Sequence, residues 1–202
     1  MNRGSRLHVS ILALALLSMT GWAYAADEKK PAAPEMPPEM AEYMKLAQPG
    51  EHHAHMAKMV GSWKAHSKFV MAPGAPPEES DGTMTARAVL DGRFFLSEYS
   101  STMMGQPFNG IGMDGYDNYK KKHVSIWADS MGTMVLMFEG TCTQGGKVTE
   151  MRARFEDPVT KKMTDMRTLT TVKDDNTILF EMFGPGQDGK ETRMGEITYT
   201  RK

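Results

Sequence analysis

The densest group of metal-ligating side chains in this sequence is the run His52-His53-Ala54-His55-Met56. On a helix, His52, His55, Met56 and Met59 would share one face, because residues three and four apart are neighbours there. Imidazole and thioether ligands suit copper better than magnesium or calcium. The run therefore predicts a site for copper or another metal. The alternative, which we favour, is that these side chains simply cap and cover the rest of the fold.

A second candidate site lies in the alternating segment 123–129. Its polar face carries Trp127 and Asp129, and its other face is apolar, so one of the two faces must point inward. If the Trp127 face is internal, an aromatic wall and an anion line a cavity. The candidate ligand-binding set is Tyr116, Trp127, Asp129, Arg152 and Arg167. Other interpretations stay open: core packing for the aromatic residues, a turn for Asp129, and a solvated strand face for the arginines.

Signatures of hydrolytic chemistry are missing from the sequence. It contains neither Gly-x-Ser-x-Gly nor His-Glu-x-x-His. The acidic residues are scattered through predicted turns and wet faces, so no catalytic pair is singled out. We predict no catalytic residue, and an enzyme whose residues the sequence hides remains one alternative.

The sulfur-containing residues favour packing over chemistry. Cys142 is the single cysteine, which excludes an internal disulfide and leaves zinc or iron–sulfur sites built on several cysteines without a ligand set. We interpret it as a small apolar residue in or beside a strand. The chain also has 20 methionines, which are soft copper ligands as well as adaptable fillers. Most of them alternate within strand-like segments, as Met84, Met134, Met151 and Met182 do, and are predicted to fill a core.

The N-terminus has the layout of a secretory signal peptide over residues 1–25. Arg3 and Arg6 precede an apolar run from Val9 to Leu17, and Ala23-Tyr24-Ala25 forms a cleavage site. The run is shorter than the ~20 residues that a bilayer-spanning helix needs. We therefore expect a protein of the periplasm or the exterior, without stable membrane insertion after cleavage.

Charge argues against two classes of partner. The formal net charge is −1, and both signs are interspersed along the chain. A binder of nucleic acid or of anionic lipid would carry a basic excess. A small-molecule ligand is the remaining expectation, and the oligomeric state is not predicted.

Four segments are predicted along the chain. After the leader, residues 26–38 are rich in charge, Pro and Ala and predict a disordered linker. Residues 39–59 predict a helical segment in two pieces, broken at Pro49-Gly50. From residue 60 to 202 the apolar period becomes two, as in Trp63 to Phe69, which indicates β-strands.

Ten strands are predicted in this last segment, with hairpin signals such as Asp91-Gly92 and Gly145-Gly146 between them. No long helical stretch separates the strands, which excludes a parallel βαβ sheet. A run of antiparallel strands avoids exposed edges by closing on itself. We therefore predict an all-β fold, an up-and-down antiparallel β-barrel of about ten strands; the alternative is a two-sheet sandwich.

Two parts of the sequence resemble lipocalins, or calycins more broadly. Gly61-Ser62-Trp63 opens the first strand, and the last strand ends in Tyr199-Thr200-Arg201. The resemblance implies that Trp63 plugs one barrel end and that Arg201 stacks across it, with Gly61 as a structural residue beside them.

A wider pattern resembles a bacterial family of domains of unknown function, the 1579 family, over about residues 50–202. The segments that carry the resemblance are Met59–Trp63, Leu90–Phe94, Gly105–Phe108, Gly115–Asp117 and Trp127–Ser130. Because that family is uncharacterised, the resemblance implies fold and boundaries but no reaction.

Haem is not an expected cofactor. Small ten-stranded barrels of the nitrobindin type hold haem through a histidine on a late strand, whereas here no histidine follows His123. His66 alternates with lysines and is predicted to face water. A barrel of ten strands should instead leave an internal cavity. We expect it to bind a small apolar or amphipathic ligand, with metal binding through His52, His55, Met56 and Met59 as the alternative function.

Overall fold

The computed structural model describes residues 36–71, 74–186 and 188–202. The predicted signal peptide and most of the predicted linker lie outside the described residues. Within the described part, none of the helices has both the length and the apolar character required to span a bilayer. The elements are α1 (Pro38–Leu46), α2 (Glu51–Ala57), β1 (Gly61–Phe69), β2 (Glu78–Val89), β3 (Phe94–Met103), β4 (Gln106–Asp117), β5 (Lys122–Asp129), β6 (Leu136–Thr143), β7 (Val148–Glu156), β8 (Met163–Asp174), β9 (Thr177–Pro185) and β10 (Glu191–Arg201).

The ten strands form a closed antiparallel barrel, which confirms the predicted architecture and excludes the sandwich. Each strand pairs with the next along the chain, and β1 pairs with β10 to close the sheet. Tight turns make this meander feasible: Asp91 and Gly92 both adopt positive φ, as do Gly145 and Gly146. Closure leaves no unpaired strand edge in the barrel.

Side-chain alternation along β1 shows how the sheet separates core from solvent. Trp63, Ala65 and Ser67 are buried, while the lysine and histidine residues between them are exposed. His66 lies on the outer face, where its Nδ1 is 2.8 Å from Asp81 Oδ1. The predicted wet face of this strand is therefore the outside of the barrel.

One barrel end is plugged by Trp63, which is fully buried. The guanidinium carbon of Arg201 lies 4.1 Å from the centre of the indole ring, a cation–π contact. The same guanidinium donates to the carbonyl oxygens of Lys58 and Val60 at 2.7 and 3.0 Å. Gly61 is required here, because its φ is +133° and a Cβ would lie 2.7 Å from Arg201 Nη1.

Helix α2 lies at this same end, which we call the helix end. Its first turn is capped by His53, whose Nδ1 accepts the backbone N–H of Gly50 at 3.0 Å. The segment between the helices is tied to barrel loops, since Asn118 Nδ2 donates to Leu46 O and Arg93 Nε donates to Ala47 O. These bonds from two different loops fix the chain just before α2 to this end of the barrel.

Candidate functional site

The barrel encloses a cavity of about 490 Å³. Aromatic and methionine side chains form most of its wall, including Met84, Met151 and Met182 from three different strands. The cavity extends to the end opposite the helices, the far end, where Met71 and Met131 border it. Met134 differs from its predicted role: it lies in the β5–β6 loop and is 42% exposed.

The inward face of β5 is the one that carries Trp127 and Asp129, and both residues line the cavity. The indole needs the space left by two glycines on β4, because a Cβ at Gly110 would lie 2.2 Å from a ring carbon and Gly112 also borders the ring. Trp127 Nε1–H donates to Asp129 Oδ2 at 2.8 Å. The ring is thereby held as a flat wall of the cavity.

Asp114 is a further carboxyl group of the cavity lining, and it is absent from the predicted set. Burial raises the pKa of the Asp114 carboxyl, and a hydrogen bond with Ser125 on the neighbouring strand offsets part of that rise. A sequence signal did exist, because Asp114 lies an even number of positions from the buried Phe108 and Gly112 and therefore points to the same face of β4. The pair Asp114-Gly115 resembles a turn, however, and so hides this strand pattern in the sequence.

Arg152 and Arg167 lie on the outer face of the barrel, and their predicted place in a cavity wall is corrected. Arg152 Nη2 contacts Glu150 Oε1 at 2.8 Å. Arg167 lies over the ring of Phe183, 3.9 Å from its centre, and its Nε donates to Glu191 Oε2 at 2.9 Å. The physical reason is that successive side chains of a strand point to opposite faces of the sheet. Met151 and Thr168, the neighbours of these arginines, point inward, so the arginines point outward.

Tyr116 lies at the helix end, outside the cavity lining. Its ring stacks on that of His52 with centroids 3.9 Å apart and an interplanar angle of 17°. It also meets the edge of His123, whose ring centroid is 5.0 Å away. Burial, followed by the nearby imidazoles, lowers the pKa of His123 to about 4, so this ring is neutral near pH 7.

The histidine run of α2 is divided between two environments. His52 and His55 face β6, where the Sγ of Cys142 lies 3.2 Å from His52 Nδ1. Met56 and Met59 instead line the cavity. The predicted metal set of two histidines with these two methionines is therefore wrong. The four side chains share one broad helix face, but the histidines lie at the barrel rim beside β6 and the methionines point into the cavity.

Cys142 occupies an inward position of β6 at the helix end and is partly buried. It was predicted as an apolar filler, yet its thiol lies against an imidazole. Desolvation raises the pKa of this thiol. No sequence signal links the two residues, because 90 positions separate them.

These features define a closed ten-stranded β-barrel with an internal cavity, covered at one end by a short helix. The chain belongs to the family described as Protein of unknown function (DUF1579), which matches residues 48–201. The predicted family membership is thus confirmed, with boundaries close to those expected. No curated protein sequence is similar enough to count as a match.

One solved structure adds support for the fold, and a second gives a weaker superposition. The crystal structure of Rv2717c from M. tuberculosis superposes with a TM-score of 0.59 at 14% identity, covering 77% of this chain and 99% of that chain. A redesigned beta barrel gives a TM-score of 0.38 at 13% identity, over 72% of this chain and 93% of that chain. At such identities the likeness to Rv2717c shows a shared fold and nothing more.

Proposed function

We propose that this protein binds one small apolar or amphipathic molecule inside its barrel. The observation that carries the proposal is the cavity of about 490 Å³ with a mainly apolar wall. Small-molecule sites are typically concave spaces of about 300–1,000 Å³, mostly apolar with a few polar groups. The cavity has both properties, so a single ligand of moderate size is the natural occupant.

The methionine-rich wall suits an adaptable pocket. Methionine side chains are unbranched and polarisable, and they fill irregular space without strict shape requirements. The indole of Trp127 adds a rigid surface to this wall, because its hydrogen bond to Asp129 fixes the ring. We infer that the ligand lays a flat or extended apolar part against this indole while methionines adjust around it.

Asp114 supplies the polar end of the proposed pocket. Asp129 is already engaged, since it accepts hydrogen bonds from Trp127 Nε1 and from the backbone N–H of Met131. Asp114 lies deeper in the barrel, with Ser125 opposite it on β5. Ser125 hydrogen-bonds to it, and a carboxyl group has two oxygens that leave room for a further donor or a cation. The favoured ligand therefore carries an amine or a hydroxyl group on an apolar body.

We also propose that the protein meets this ligand outside the cytoplasm. The support is the charged start, apolar run and Ala23-Tyr24-Ala25 site of the first 25 residues. Fractionation of cells that express the whole chain, compared with a variant in which Arg3 and Arg6 are replaced by Glu, tests the proposal. Equal accumulation of both chains in the cytoplasm contradicts export.

Binding of the neutral fluorescent probe N-phenyl-1-naphthylamine tests the cavity itself. Ala86 lines the cavity, whereas the next residue, Thr85, points outward. Ala86→Phe fills the space and should weaken probe binding by at least about tenfold, while Thr85→Phe places the same ring in solvent and should not. Equal affinities for both variants and the wild type would show that the probe binds elsewhere and would reject the proposal.

A competition experiment tests the polar end separately. Dodecylamine should displace the probe more effectively than dodecanoate. Its ammonium group can donate hydrogen bonds to the Asp114 carboxyl, whereas the carboxylate of dodecanoate has no proton to donate. In Asp114→Asn this preference should disappear. A preference that persists in Asp114→Asn would assign the recognition of the head group to another residue.

A further inference from the structure

We infer that His52, His55 and Cys142 form a binding site for a thiophilic transition-metal ion of the zinc and copper class. This site lies under α2 and is separate from the cavity. It also differs from the set that the helix sequence suggests, because a cysteine from a distant strand replaces the two methionines. The proposal does not depend on whether the cavity binds a ligand.

The geometry of the three donors is close to that of a metal site. One ligand atom from each of His52, His55 and Cys142 lies within 4.8 Å of the other two. In tetrahedral zinc sites the metal lies about 2.3 Å from sulfur and about 2.0–2.1 Å from nitrogen, which separates these two donors by about 3.6 Å. The observed separation of His52 Nδ1 from Cys142 Sγ is 3.2 Å. Small side-chain adjustments would thus suffice for a shared ion.

Unpaired nitrogen atoms are a second observation that points to a ligand. Among the described residues, His55 Nδ1 and His123 Nε2 are buried without a hydrogen-bond partner. His123 is only 4% exposed, and its ring centroid lies 5.3 Å from that of His52. Buried polar atoms in native proteins nearly always have partners, and exceptions call for an explanation such as a bound ion. A metal ion bound by His55 would account for the first of these atoms, whereas His123 lines the cavity and is not one of the three donors.

The surrounding structure holds the donors in place. Tyr116 stacks on His52 and fixes the plane of its ring. On the other side, the β6–β7 turn reaches the helix through Gly146, where a Cβ would lie 2.1 Å from His55 Nδ1. His53 faces elsewhere, as the cap of Gly50. A site held by its supporting shell loses less entropy on binding than one built on free side chains.

A cysteine–histidine nucleophile is the competing interpretation of the same contact. Such a dyad needs room for a substrate at the sulfur atom. The cavity lining, however, contains neither Cys142 nor His52. A metal ion needs only the space between the three donors, and its binding would replace the thiol proton, which leaves to solvent.

Cobalt titration of the full mature chain, reduced and stripped of metal, tests the site. Co²⁺ bound by Cys142 should produce a thiolate-to-cobalt charge-transfer band at one ion per chain, and Zn²⁺ should remove the band by competition. Cys142→Ser should abolish the band, and His55→Ala should weaken Zn²⁺ binding by more than about 100-fold, since loss of even an outer-shell partner costs 10–100-fold.

The matched control is His66→Ala, which removes a histidine that lies among acidic groups on the outer face. This variant should bind Co²⁺ and Zn²⁺ like the wild type. Circular dichroism establishes that each variant folds, and binding of N-phenyl-1-naphthylamine reports the cavity independently. Absence of the charge-transfer band in the folded wild type overturns the inference, as does Zn²⁺ binding that Cys142→Ser and His55→Ala leave unchanged.

Discussion

Trp127 donates its indole N–H to the carboxylate of Asp129, two residues later on the same inward face of β5, at 2.8 Å. The pair gives the cavity a wall with a fixed orientation, in contrast to the unbranched methionine side chains around it, which can adopt more conformations. The space for that wall comes from the neighbouring strand β4, where Gly110 and Gly112 border the ring.

Gly110→Ala should therefore displace the Trp127 ring, because the added Cβ would lie 2.2 Å from a ring carbon. Overpacking of this kind costs about 1–3 kcal/mol of unfolding free energy. Urea denaturation measures that loss, and near-ultraviolet circular dichroism reports the moved indole. Ile111→Ala on the outer face is the control. Unchanged spectra and unchanged probe affinity in Gly110→Ala would contradict the role of the glycines.

Asp114→Asn should change how stability depends on pH. Burial raises the pKa of Asp114 in the folded protein, so the folded state holds its proton more tightly than the unfolded state does. Wild-type stability should fall as the pH rises from the ordinary carboxyl pKa through the raised one, and Asp114→Asn should remove that part of the fall. Urea denaturation across a pH series measures both. The exposed Asp165→Asn is the control, and identical pH profiles for all three proteins would contradict the prediction.

Arg201→Ala should open the plug at the helix end. The substitution removes the cation–π contact with Trp63 and the bonds to the carbonyls of Lys58 and Val60. We expect a loss of about 2–3 kcal/mol in unfolding free energy. Arg87→Ala, on the exposed face of β2, should cost far less. Equal midpoints for Arg201→Ala and the wild type in thermal denaturation would show that the stacked pair of Trp63 and Arg201 does not stabilise the fold.

Arg152→Ala and Arg167→Ala should leave ligand binding unchanged, because both arginines lie outside the barrel. Arg167 lowers the pKa of Glu191, so their ion pair stabilises the fold above the ordinary carboxyl pKa and less as the pH falls through the lowered one. The Glu191 side chain is 45% exposed and that of Arg167 16%, so solvent screens the pair in part and we expect a contribution of about 1 kcal/mol. Probe titration measures the affinity of both variants for N-phenyl-1-naphthylamine. A marked loss of probe affinity in either variant would show that the replaced arginine contributes to ligand binding.

Much of the fold was predictable because alternation and turn chemistry are local. The period of two from Trp63 to Phe69 and the Asp91-Gly92 and Gly145-Gly146 turns indicate antiparallel neighbours without any knowledge of distant residues. The candidate sites were less predictable. Trp127 and Asp129 were identified only as one of two possible faces, and the two outer arginines were placed on the wrong side of the sheet.

The sequence by itself determined the strand order, the hairpin connections and the family to which the chain belongs. It did not determine which face of each strand points inward, because a pattern of period two looks the same from either side of a sheet. Only closure of β1 on β10 decided that Asp114 enters the cavity and that Arg167 stays outside. The contact between His52 and Cys142 is likewise tertiary, since it depends on where α2 crosses a barrel whose strands are far apart in the chain.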